Sequence, residues 1–109
     1  MLNLTGKKVL LQANDFLQNK IIATVAMISS DNKSMLLNLD ESLLDGKILY
    51  KHIVISPRLS KDDLGVLLND GELGCSAIWV PESKFNNKTP FNISWWRGGA
   101  AAITDLSIL

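Results

Sequence analysis

Apolar residues recur mostly at every second position along this chain, the period of a strand with one buried face. Val9, Leu11 and Ala13 alternate with Lys8 and Gln12, which predicts a first strand, with a connection over 16–19. Residues 21–28 are apolar almost throughout and predict a strand covered on both faces. The polar cluster 29–34 has the length of a hairpin turn. Met35, Leu37 and Leu39 alternate with Asn38 as a third strand, and a second turn is expected over 40–46, closing at Asp45-Gly46. The β-branched run 48–55 predicts a fourth strand, which Pro57 stops because it has no backbone donor for a ladder.

One segment changes period. Leu64, Leu67 and Leu68 lie at i, i+3 and i+4. Ser60 stands at the cap, Asp62 and Asp63 at the positive end of the helix dipole, and Asn69-Asp70-Gly71 at the stop. Leu59 and Leu64 have the spacing of a hydrophobic staple. A short helix is expected over 61–69. Beyond it, Leu73, Cys75, Ala77 and Trp79 alternate with Ser76 and Ile78 as a fifth strand ending at Pro81. Residues 81–90 read as a long polar loop. Residues 91–96 look extended, Gly98-Gly99 breaks them, and 100–106 predicts a sixth strand, a helix over 100–102 being the alternative. Ile108 and Leu109 are expected to dock on the core. The pattern implies a mainly β (α+β) fold in a single domain, 1–109. Its antiparallel sheet of about six strands is rolled up, or closed into a small β-barrel, to hide its edges.

Composition narrows the function. A chain of 109 residues with 47% hydrophobic and 20% charged residues has the profile of one globular domain. Eleven basic and eleven acidic residues leave no net charge, so neither nucleic acid nor an anionic membrane is an expected partner. One Cys makes no internal disulfide, one His builds no His-based metal site, and no cofactor motif appears. The first residues show no charged leader followed by an apolar run, and no apolar stretch approaches the roughly 20 residues of a spanning helix. A soluble, cytoplasmic protein is expected. Sequons begin at Asn3, Asn32, Asn87 and Asn92 and are read as chance matches in an Asn-rich chain. That richness, beside only two arginines, suggests a bacterial source.

No residue set is expected to be catalytic. Cys75 and His52 could be imagined as a thiol–imidazole pair, but both fall in predicted strands, where the thiol reads as a small buried hydrophobe. His52 is expected to share a face with Tyr50 and Val54. Asp40, Glu41 and Asp45 before Gly46 miss the spacing of a calcium loop and read as a solvated turn. Leu64-Gly65-Val66-Leu67-Leu68 resembles a groove-docking helix and reads as core-facing.

The unusual stretch is 91–99. Adjacent Trp95 and Trp96 on an extended segment point to opposite faces, so one needs cover other than the core: the 81–90 loop, another chain or a ligand. Arg97 adds a planar cation, and Gly98 and Gly99 permit close approach. Arg58 suits a carboxylate, from a partner or from Asp62 or Asp63 one turn on. The candidate binding residues are therefore Trp95, Trp96, Arg97, Gly98, Gly99, Phe91 and Arg58. The expected function is a non-enzymatic protein-interaction module of immunity, inhibitor or adaptor type, with self-association as a further option. A small-molecule-binding barrel is second, and an enzyme of unfamiliar design third.

Overall fold

A computed structural model describes residues 4–13, 20–57, 75–91 and 100–109. Six strands form one antiparallel sheet: β1 (Lys8–Ala13), β2 (Lys20–Ile28), β3 (Met35–Asp45), β4 (Ile48–Pro57), β5 (Cys75–Pro81) and β6 (Ala100–Ile108). They pair in chain order, and β6 also pairs with β1, from Val9↔Ile108 to Ala13↔Ile103. The mainly β class is as the alternation predicts. Residues 100–102 are strand rather than helix. The helix expected over 61–69 lies outside the described residues. Among those residues the helical element is a single 3-10 turn, Glu82–Lys84.

The inner face follows the period of two. Val9 and Leu11 of β1, Ile21, Ala23 and Val25 of β2, Met35 and Leu37 of β3, Ile53 and Ile55 of β4, and Ala77 and Trp79 of β5 all enter one buried cluster. Trp79 meets Tyr50 edge to face, with centroids 5.9 Å apart and planes at 74°, the geometry favoured by aromatic quadrupoles.

The alternate residues of three strands form a second, outer cluster. Leu36, Val54 and Val80 are buried there, with Ala26, Phe85 and Phe91 packed against them. The residues after β5 thus strap back across the outer face rather than forming a free loop. The 3-10 turn begins that strap, and Phe85 N–H donates to the carbonyls of Pro81 and Glu82.

The 29–34 hairpin is held by its own side chains. Ser29 Oγ accepts from the backbone N–H groups of Lys33 and Ser34, and Asp31 Oδ1 accepts from Ser29 Oγ (2.6 Å) and Lys33 N–H (3.0 Å). Asn32 takes the left-handed conformation, φ 58°, which Asn tolerates better than most residues.

Several expectations are corrected. β2 is not covered on both faces: Ile22 and Met27 are 46% and 43% exposed, because the outer layer reaches only Ala26. The second turn is much shorter than 40–46. β3 runs on to Asp45, and Gly46-Lys47 alone makes the turn, with Asp45 facing Ile48. Gly46 has φ +60° at the first central position, the requirement of a II′ hairpin. β4 includes Pro57, paired with Cys75, instead of stopping before it. Ile108 and Leu109 stay exposed beyond Leu106, which is buried in the core. Tyr50 and His52 do not share a face. The registers of β4 with both neighbours shift between them, which sends Tyr50 inward and His52 outward beside Val54.

Candidate functional site

Of the binding residues expected from sequence, Phe91 alone is described. It is half-buried against the outer cluster, so it joins the strap to the sheet. Trp95, Trp96, Arg97, Gly98, Gly99 and Arg58 lie outside the described residues. Cys75 and His52 do fall in strands, at opposite ends of one ladder: Cys75 pairs with Pro57 and His52 with Val80. Five rungs separate them, roughly 17 Å along the strands, too far for a nucleophile and its base.

His52 has a distinct setting. Its ring stacks on Phe85 of the strap, and Nδ1 donates to Asn38 Oδ1 on β3 (2.9 Å). Burial holds its pKa below the usual histidine value, with Glu82 pulling upward and Lys51 downward. Lys51 and Glu82 pair at 3.3 Å with both side chains substantially exposed, a contact worth little on its own. The His52 imidazole is thereby used as a flat neutral surface that seats the strap.

The other feature is an arm. The β2–β3 ladder begins at Ala23↔Leu39, yet β2 starts three residues earlier and β3 continues six residues further. The β3–β4 register also breaks, between Asn38↔His52 and Leu43↔Tyr50, so β3 carries extra residues in a wide bulge. The two strands therefore splay apart. Between them lies a groove of about 290 Å³ lined by Lys20, Ile21, Ile22, Asp40, Glu41 and Leu43.

Past the groove, residues 43–50 form a two-stranded hairpin. Leu43 and Tyr50 face the core, where burial and the Asp45 charge raise the Tyr50 pKa. On the opposite face Leu44 pairs with Leu49, and Leu44 is 66% exposed, while Ile48, on the Leu43 side, is exposed beside the turn. At the base of the arm Asp40 is fixed by Lys8 Nζ (2.5 Å) and Thr24 Oγ1 (3.2 Å), and the Lys8 hydrogen bond is the main reason its pKa is lowered. Sequence reading missed this feature because Asp40, Glu41 and Asp45 resemble turn residues. The signal that could have found it is the apolar flanking of Gly46 by Leu43-Leu44 and Ile48-Leu49.

Among the described residues, no group of three or more His, Cys, Asp or Glu side chains could hold a metal ion, and no helix is long and apolar enough to cross a membrane. No protein-family model, curated protein or solved structure matches this chain.

Proposed function

We propose that this chain is a non-enzymatic protein-interaction module of immunity, inhibitor or adaptor type, working in the cytoplasm. The observation that carries the reading is the β3–β4 arm. It projects Leu44 into solvent from the face opposite Leu43 and Tyr50, which anchor the hairpin in the core, and leaves Ile48 exposed at the tip on the Leu43 side. Exposed apolar side chains on a rigid support have the character of an interface anchor. Trp95, Trp96 and Arg97 supply the residue types of a binding hot spot and are proposed as a second contact region.

The test is quantitative affinity isolation from the native cell. Wild-type protein is compared with a Leu44→Lys/Ile48→Lys variant, Trp95→Ala, Trp96→Ala and Arg97→Ala, each checked for unchanged melting. A saturable protein partner should be retained by wild type and weakened by the arm variant. At a hot spot, a Trp→Ala change should cost at least about 2 kcal/mol of binding, with Arg97→Ala next. Absence of any saturable protein partner overturns the reading.

A second reading, a small-molecule-binding β-barrel, draws on the return of β6 onto β1 and on the groove between β2 and β3. The groove's volume lies at the lower end of the range for ligand sites. The inner face is filled by Trp79, Met35, Leu37, Ile53 and their neighbours. A small molecule retained by the purified protein in native mass spectrometry would favour this alternative.

A further inference from the structure

Strand edges are usually shielded, because their unpaired N–H and C=O groups recruit other strands. β3 has such an edge where β2 leaves it. Beyond Leu39 its β2-facing side pairs with no strand among the described residues, while 43–45 remain braced from behind by β4.

Hairpin geometry shows which groups are offered. In a two-residue turn the flanking residues, here Asp45 and Ile48, are hydrogen-bonded to each other. Pairs alternate along an antiparallel ladder, so Leu44 and Leu49 are a non-hydrogen-bonded pair. The N–H and C=O of Leu44 therefore point away from β4, toward the side that pairs with no strand among the described residues.

Charge selects the occupant. Asp40 is engaged by Lys8 and Thr24, which leaves Glu41 and Asp45 as exposed carboxylates on either side of Leu44. Lys20 belongs to the far, β2 wall of the groove. A second copy added in parallel register would set Glu41 and Asp45 against their own counterparts, like charge opposite like charge. A segment carrying lysine or arginine around an apolar residue meets complementary charge instead.

We infer that the β3 edge from Asp40 to Asp45 binds an extended, basic segment of another protein as an added strand, with main-chain bonds centred on Leu44. Such β-augmentation draws affinity from the backbone and specificity from alternate side chains. The inference rests on the protein-interaction reading and names the chemistry of its partner.

The probe is an acetylated, amidated hexapeptide of alternating lysine and valine, titrated into isotope-labelled protein. Binding should shift the backbone amides of 42–45 and be at least tenfold tighter than for the glutamate–valine counterpart. N-methylation of alternate peptide nitrogens should weaken it at least tenfold, as should Leu44→Pro, which removes the outward donor. Should Leu44→Pro fail to fold, Glu41→Lys/Asp45→Lys decides, by reversing the preference between the two peptides. Shifts confined to other strands, undiminished binding of the N-methylated peptide, or self-association through this edge in sedimentation would overturn the edge assignment. The broader reading would still stand or fall with the native-cell comparison.

Discussion

The imidazole of His52 lies nearly flat on the ring of Phe85, with centroids 3.8 Å apart and planes inclined by 23°. One residue comes from β4 and the other from the strap, so this contact joins the strap to the sheet at a titratable group. The fold holds the His52 pKa below its ordinary 6.5, first through burial. The folded protein therefore binds this proton less readily than the unfolded chain, and stability must rise with pH across the interval between the two values. The contribution is present above about pH 6.5 and is lost as pH falls through the lower, folded-state value.

The first prediction concerns that proton. Because the chain has a single histidine, its ring resonance can be followed without ambiguity. Phe85→Ala should raise the His52 pKa toward 6.5 and weaken the acid dependence of stability below that value. An unchanged NMR titration in the variant would show that the strap does not cause the shift.

A second acid-sensitive step belongs to Asp40. Its pKa is lowered from 3.8, chiefly by the Lys8 hydrogen bond, so its contribution is present above 3.8 and disappears as pH falls through the depressed value. Asp40→Asn should shrink this lower limb of the stability curve, to which Asp31 also contributes because Ser29 Oγ and Lys33 N–H lower its pKa, while leaving the His52 limb intact. Urea midpoints measured from pH 7 to pH 2 would separate the two, and added salt should shrink the Asp40 effect because the pair is partly exposed.

The two faces of the sheet should differ sharply in tolerance. Trp79→Ala empties the centre of the inner cluster and should cost about 3–5 kcal/mol. Met27→Ala, on the uncovered outer face, should change stability by no more than about 0.5 kcal/mol. Chemical denaturation followed by circular dichroism measures both.

Gly46 provides a purely conformational test. A Cβ there would touch nothing within 4 Å, yet φ is +60°. Gly46→Ala should therefore cost about 1 kcal/mol through backbone strain alone. A loss near zero in the urea midpoint would contradict the II′ turn.

The inner face was legible because Val9, Leu11, Leu37, Ile53 and Trp79 obey a strict period of two, and every strand but β3 was found within two residues of its ends, whereas β3 runs six residues past its expected end at Leu39. What escaped reading lies where registers shift. A bulge between Tyr50 and His52 inverts the face of every residue beyond it, and nothing in Tyr50-Lys51-His52 announces it. The bulge in β3 likewise places Asp40 and Glu41, residues typical of turns, inside a strand. The outer cluster was hidden for another reason: Leu36, Val54 and Val80 occupy positions that alternation assigns to solvent, and they are buried because Phe85 and Phe91 return across them from far along the chain.

The pairing of β1 with β6 also governs the order in which this molecule can assemble. Val9 and Ile108 are partners although about 100 residues separate them, so this ladder closes one of the longest loops available to the chain. Loop closure must precede its reward. During synthesis β1 emerges first, pairs with β2, and keeps its other edge open until β6 appears. The hairpins β2–β3 and β3–β4 can form early from neighbouring segments, whereas the β1–β6 seam comes last and sets a slow, aggregation-exposed interval. Refolding should therefore be slow for so small a protein, and substitutions at Leu106, which anchors β6 in the core, should act mainly on the unfolding rate.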